Sequence, residues 1–262
     1  MKSLYLMAAI AIAMVLHSSL AEAKVTGTTY EYEQGGVPLE GWVVRESVAG
    51  GARPGVLIVH QWRGLSDYEK KRAEMLAELG YVVFCADIYG KGVRPQNMEE
   101  AGAQAGKYRS DPELFRARLN AALDALLAQK DVDPKRIAAI GYCFGGGGVL
   151  ELARTGAKIA GVVSFHGSFE TKMPAAPGQI KAKVLVLHGA DDKNIAGDQL
   201  KAFEDEMRAA GADYQIVLYG GAVHAFSDWN AGSDPSRGAA YNESADKRSW
   251  RAMLDFFEEI FA

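Results

Sequence analysis

The segment Gly141-Tyr142-Cys143-Phe144-Gly145-Gly146 has the spacing of a reactive thiol. It reads G-x-C-x-G where a strand-like apolar run gives way to a helix-like one, the pattern of a sharp turn that lifts a nucleophile clear of the backbone. Bulky side chains two positions either side of the nucleophile would clash in such a turn, which accounts for Gly141 and Gly145. A helix that starts there points its N-terminus at the sulfur and favours the thiolate. A phosphate-binding loop fits poorly, because the glycines from Gly145 to Gly148 lead into Val149 with no Lys.

Asp192 comes 49 residues after Cys143, in His188-Gly189-Ala190-Asp191-Asp192. His224 comes 32 residues after that, in Gly220-Gly221-Ala222-Val223-His224-Ala225-Phe226. Both lie just past strand-like runs. A nucleophile, an acid and a histidine in this order can work as a unit. The acid orients the histidine and stabilises its imidazolium; the histidine takes the thiol proton and later protonates the leaving group. Asp192 is the candidate acid, with neighbouring Asp191 as the alternative.

These residues need a frame that brings strand ends together. Val25–Gln34 and Val37–Glu46 read as strands joined at Gly35-Gly36, a hairpin signal. Gly55–His60, Tyr81–Ala86, Ile137–Tyr142, Ile159–Phe165, Val184–His188 and Tyr214–Tyr219 are short apolar runs, as expected of strands covered on both faces. Between them lie helix-like segments. One runs from the capping box at Ser66-Asp67-Tyr68-Glu69 to about Leu79, and one from Asp111-Pro112 to about Gln129. Others run from Phe144 to Arg154, Gly197 to Ala210 and Asn242 to Phe261. The stretch holding Gly90, Gly92 and Pro95 reads as a loop, and Asp133-Pro134 as a turn. The pattern predicts an α/β fold, a mostly parallel central sheet with an antiparallel N-terminal hairpin and helices on both faces.

In such sheets chemistry gathers beyond the carboxyl ends of the strands. In the α/β-hydrolase arrangement the loop after the first parallel strand and the residue after the nucleophile each supply an N–H to the oxyanion. Trp62 and Phe144 occupy those places.

The 262 residues include 29 Lys+Arg and 33 Asp+Glu, a net charge of −4, so no broad basic face is available for nucleic acid. With 48% hydrophobic residues the chain is globular rather than disordered, and two Cys exclude a disulfide scaffold. The 29 Gly exceed the roughly 7% average and fit many tight strand–helix turns. Lys2, the uncharged run Leu4–Leu16 and Ala21-Glu22-Ala23 together predict a cleaved secretory signal over residues 1–23. The mature domain is then 24–262, periplasmic or secreted, with no stable membrane anchor.

These motifs are similar to those of the dienelactone hydrolase family of α/β-hydrolases. The carrying residues are the Gly141–Gly146 elbow, the Asp192 turn, the Gly221–Phe226 loop, the His60–Leu65 segment and Asp87-Ile88-Tyr89-Gly90. The resemblance spans roughly Val37 to Phe261. It implies a Cys-His-Asp hydrolase of small esters or lactones, with no metal or organic cofactor. Alternatives on the same frame are a thioesterase or peptidase-like acyl hydrolase, or a catalytically weak ligand-binding protein. The resemblance also assigns substrate-contacting positions to Gln61, Lys91 and Asp228. Gln61 stands where the family has a Glu near the thiol. Lys91 and Asp228 stand where dienelactone-specific members carry an Arg pair for a carboxylate. An acidic Asp228 repels an anion and Lys91 only partly offsets it, so neutral substrates are expected to be preferred.

In the family's sheet order the strands of Cys85 and Cys143 flank a common neighbour. Two strand spacings, about 9.5 Å, exceed the roughly 7 Å reach of a disulfide, so Cys85 is read as a buried core thiol. His60, His166 and His188 lie near strand ends and read as structural or hydrogen-bonding residues, since no metal-ligand spacing accompanies them. Trp229 and Tyr89 read either as pocket lining or as surface packing.

Overall fold

The computed structural model describes residues 24–47, 50–195 and 197–262; the expected signal segment, 1–23, lies outside them. Eight strands form one sheet: β1 (Val25–Gln34), β2 (Val37–Glu46), β3 (Arg53–Val59), β4 (Val82–Cys85), β5 (Val132–Tyr142), β6 (Gly161–Phe165), β7 (Lys183–Gly189) and β8 (Tyr214–Tyr219). Their order across the sheet is β1-β2-β4-β3-β5-β6-β7-β8. The β1–β2 and β2–β4 pairs are antiparallel, and every pair from β4 to β8 is parallel.

Six α-helices cover the two faces: α1 (Asp67–Ala77), α2 (Met98–Ser110), α3 (Pro112–Leu127), α4 (Phe144–Arg154), α5 (Gly197–Ala210) and α6 (Glu243–Phe261). Strand side chains alternate between the faces. In β3, Leu57 and Val59 join the core beneath α2, α3, α4 and α5, while Val56 and Ile58 join the core beneath α1 and α6. All four are fully buried, so β3 reads as an unbroken apolar run.

Two elements differ from the sequence expectation. The segment read as a loop after β4 contains α2. Asn97 caps it by accepting the Glu100 N–H at 2.9 Å, but only Ala101, Ala105 and Tyr108 are buried. Gly102 and Gly106 interrupt this narrow stripe and mask the helical period. The Asp133-Pro134 turn lies inside β5. There the pairing with β3 jumps from Pro54–Asp133 to Gly55–Ile137, so residues 134–136 bulge out of the ladder.

The order β4-β3-β5 places the strands of Cys85 and Cys143 on either side of β3, and both thiols are free. Cys85 is fully buried, and that burial pushes its thiol well above the ordinary value.

Candidate active site

Cys143 is the N-cap of α4, held at φ 54°, ψ −110°. That conformation is strained for a residue with a side chain, by roughly 1–3 kcal/mol. The neighbouring glycines make it possible. A Cβ on Gly141 would overlap the Gly145 carbonyl, and one on Gly145 would overlap the Val59 carbonyl. The Cys143 N–H donates to the Phe165 carbonyl at 3.0 Å and to His166 Nδ1 at 3.1 Å. Cys143 as a whole is only 9% exposed.

His224 Nε2 lies 3.1 Å from Cys143 Sγ, and His224 Nδ1 lies 2.8 Å from Asp192 Oδ2. The other Asp192 oxygen accepts the Asn194 N–H at 2.9 Å. Asp191 is exposed, and its backbone N–H closes the turn onto the Ala222 carbonyl. The structure thus brings Cys143, His224 and Asp192 into one chain of contacts and leaves Asp191 outside it. Burial is the largest single influence and disfavours charge on both the sulfur and the imidazole, but their mutual attraction, their hydrogen bonds and the neighbouring charges together outweigh it. His224 is pushed up to about 10 by Cys143 and by its bond to Asp192, and the thiol falls below its ordinary value. The site favours a thiolate–imidazolium pair.

The loop after β3 is pinned on every side. Ile88 N–H donates to His60 Nε2 at 3.3 Å, so His60 Nδ1 carries the proton and donates to the Gln61 carbonyl at 2.6 Å. The Gln61 N–H donates to Glu69 Oε1 at 3.0 Å. Glu69 is the fully buried partner in the Ser66 capping box. The Tyr89 hydroxyl donates to the Trp62 carbonyl at 2.8 Å. Gln61 Nε2 donates to Asp228 Oδ2 at 2.8 Å. With Gln61 fixed at N–H, carbonyl and side chain, the next N–H, that of Trp62, has no partner among the described residues. The Phe144 N–H, at the first turn of α4, faces the Cys143 sulfur and helps to lower its pKa.

Lys91 and Asp228 both have partners within the protein. Lys91 is exposed on the hairpin side, and its ammonium pairs with Glu31 of β1 at 2.6 Å. Asp228 does not stand as a bare charge: Oδ2 accepts from Gln61, and Oδ1 accepts the Asn230 N–H at 2.8 Å. It ties the His224 loop to the Trp62 loop. Trp229, 38% exposed, lies over the Arg72 guanidinium and against Tyr68 on α1. Tyr89 is buried and packs on Phe144.

One contributor is missing from the sequence reading, and two histidines expected to be structural or hydrogen-bonding lie beside the site. Arg109, at the end of α2, places its guanidinium 5.8 Å from the Phe144 ring, and its charge helps to lower the Cys143 thiol. It could not be placed while α2 was read as loop. His188 is buried, with Nε2 3.5 Å from Asp192 Oδ2 and its ring against Phe169. His166 links Cys143 to Ser227, whose Oγ lies 2.8 Å from its Nε2. Among the described residues no cluster of His, Cys, Asp and Glu is arranged to hold a metal ion.

The fold has counterparts. A solved structure designated m3DLH superposes with a TM-score of 0.86 at 37% identity, covering 91% of this chain and 99% of that one. A dienelactone hydrolase-like promiscuous phosphotriesterase from metagenomic libraries superposes with a TM-score of 0.83 at 39% identity, over 90% and 98% of the two chains. A protein of Aquifex aeolicus, named as a candidate carboxymethylenebutenolidase, is 25% identical over 246 residues, 88% of this chain and 98% of its own. Residues 39–261 match the dienelactone hydrolase family as a whole, so the chain belongs to that family of hydrolases and has the α/β-hydrolase fold.

Proposed function

We propose that this protein hydrolyses small, uncharged carboxylic esters or lactones through an acyl-thioenzyme at Cys143. The observation that carries this reading is the contact chain Cys143 Sγ–His224 Nε2 at 3.1 Å and His224 Nδ1–Asp192 at 2.8 Å. In the first half-reaction the Cys143 thiolate attacks the carbonyl carbon. The C=O electron pair moves onto oxygen, which lies between the Trp62 and Phe144 N–H groups. Collapse breaks the C–O bond, and His224 gives its Nε2 proton to the departing alcohol oxygen. In the second half-reaction neutral His224 takes a proton from water, and the hydroxide attacks the thioester. The carboxylic acid leaves, and the thiolate–imidazolium pair is restored. Asp192 holds the imidazole orientation and offsets its charge throughout.

The preference for uncharged substrates rests on Lys91, which is bound to Glu31 on the hairpin side and is not free to hold a carboxylate. The test is p-nitrophenyl acetate hydrolysis by the wild type beside Cys143→Ala, with mass spectrometry of the quenched enzyme for an acetyl adduct. Loss of both turnover and adduct in the variant is expected; retained hydrolysis would refute the thiol mechanism and favour a binding role. A thioester substrate or a peptide turned over faster than any ester would favour the thioesterase or peptidase-like alternative. Export with removal of residues 1–23 is proposed from the Lys2, Leu4–Leu16 and Ala21-Glu22-Ala23 pattern. N-terminal sequencing of periplasmic or secreted protein should begin at Lys24.

A further inference from the structure

We infer that the cavity beside Phe144 is the acyl-binding site and takes an uncharged aromatic acyl group; this rests on the thiol mechanism above. The cavity has a volume of about 560 Å³, within the range that holds drug-sized ligands and far more than an acetyl group needs. Two stacked aromatic pairs line it: Phe115 on Phe144, with centroids 4.7 Å apart, and Phe169 on Phe203, 5.0 Å apart. Such walls suit a flat ring, which gains both area burial and ring–ring contact.

The charges around the cavity are already matched. Glu151 is held by Arg116 at 2.8 Å and Arg154 at 2.9 Å, and Glu206 is held by Arg154 at 2.8 Å. At the rim Arg109 and Lys172 equal Glu170 and Asp198 in number without pairing with them: Lys172 donates to the Ser110 carbonyl, and Glu170 accepts from Gln199. The lining together with Arg116 and Arg154 behind it therefore sums to no net charge, and the apolar walls decide what enters.

Two observations join this cavity to the reacting atoms. Phe144 contributes its ring to the wall and its N–H to the sulfur side. Arg109 lines the cavity and is near enough to Cys143 for its charge to act on the thiol. The orientation follows from the two faces of the sheet. The lining comes from α2, α3, α4, α5 and the loop after β6. The His224 loop packs instead on α1: the Tyr68 hydroxyl donates to the Ser227 carbonyl at 3.1 Å, and Arg72 donates to it at 2.7 Å. The departing oxygen must face His224 Nε2 to be protonated. The group that reaches past Phe144 to the opposite side is then the acyl group, and the alcohol lies toward His224.

The test compares p-nitrophenyl phenylacetate with p-nitrophenyl acetate, so the leaving group stays constant. Burial of one phenyl ring is worth on the order of tenfold to a hundredfold in kcat/KM. Wild type should favour phenylacetyl by that factor. Ala202 lines the cavity from an exposed position on α5, where a large side chain can enter without displacing core. Ala202→Trp should bring the phenylacetyl-to-acetyl ratio close to one, and Ala202→Phe should lower it partway. Circular dichroism confirms folding of each variant. An unchanged ratio in both folded variants, or a wild-type preference for acetyl, would overturn the assignment. So would a shift that follows the alcohol, read with phenyl acetate against ethyl acetate, instead of the acyl group. Hydrolysis retained by Cys143→Ala would sink the underlying mechanism; an inactive Cys143→Ala beside an unmoved ratio sinks only the acyl site.

Discussion

Gln61→Glu tests how the two loops that carry the site are held together. Gln61 Nε2 donates to Asp228 Oδ2 at 2.8 Å, joining the Trp62 loop to the His224 loop across 167 residues of sequence. The substitution replaces a donor with an acceptor of like charge and almost the same shape. The lost hydrogen bond to a carboxylate is worth about 1.5–3 kcal/mol. Two carboxylates about 4 Å apart repel by roughly 4 kcal/mol at an effective dielectric near 20 and roughly 1 in bulk water. Both residues are half-buried, so the repulsion falls between these limits. A net cost of about 3 kcal/mol near neutral pH lowers the melting temperature by roughly 6–12 °C in a domain of this size. The cost should shrink as the pH falls toward about 5, because a proton shared between the carboxylates restores a donor. Sign follows from linkage: the folded variant binds that proton more tightly than the unfolded chain, so its stability rises as pH falls. Turnover of a neutral ester should fall by about tenfold or more, since displacement of the loop misplaces one oxyanion donor. Adding Asp228→Asn returns an amide donor to the pair and should recover most of both losses. A Gln61→Glu protein that melts and turns over like wild type, with no effect of the second change, would refute the contact.

Three further outcomes are expected. His224→Gln should move the pH midpoint of Cys143 alkylation by iodoacetamide upward, because burial raises the thiol and the charge and hydrogen bond of His224 are the main influences that oppose it; an unmoved profile would contradict the ion pair. Asp192→Asn should lower kcat by several orders of magnitude, whereas Asp191→Asn stays within a fewfold of wild type; the reverse order in a steady-state assay would transfer the acid role to Asp191. His166→Phe should reduce kcat by about tenfold with little change in KM, because the Cys143 N–H loses one of its two acceptors; a KM effect alone would count against this positioning role.

What was legible in the sequence is what local sterics and period dictate. Gly141 and Gly145 announce the elbow because only a missing Cβ fits there. The strands β3, β4, β6 and β7, and β5 from Ile137 on, announce themselves as solid apolar runs because both of their faces are covered, whereas the edge strand β8 exposes Gln215 and Leu218. The helix α2 stayed hidden because three small buried contacts and two glycines make a poor periodic signal. The partners of charged side chains were illegible for another reason. Lys91 meets Glu31 across 60 residues, and Arg72 meets Asp246 across 174. Such pairings follow from strand order and loop path, which no local window contains. The family position of Asp228 suggested a group facing substrate; its neighbours in space make it a tie between loops.

Among the described residues, three other than glycine have positive φ: Cys143 at 54°, His166 at 40° and Ala225 at 57°. All three lie at or beside the site, and one buried hydrogen-bond chain reaches two of them, Cys143 and His166. Arg72 Nε donates to the Tyr68 oxygen at 3.2 Å, and the Tyr68 hydroxyl donates to the Ser227 carbonyl at 3.1 Å. Because His166 Nδ1 accepts from the Cys143 N–H, the proton of neutral His166 sits on Nε2 and goes to Ser227 Oγ. That leaves the Ser227 hydroxyl proton for Tyr68, at 3.1 Å. Every member is then satisfied in one tautomer only. Protonation of His166 would set an N–H against the Cys143 N–H, which agrees with burial holding this imidazole well below its ordinary value. Arg72 also closes a buried ion pair with Asp246 on α6. Such a pair is weak evidence for stability, since desolvation of the charges offsets much of their attraction. Its evident effect here is positional. It anchors one end of a rigid polar chain whose other end fixes the Cys143 backbone, and the strain at the elbow persists because its surroundings permit no relaxation.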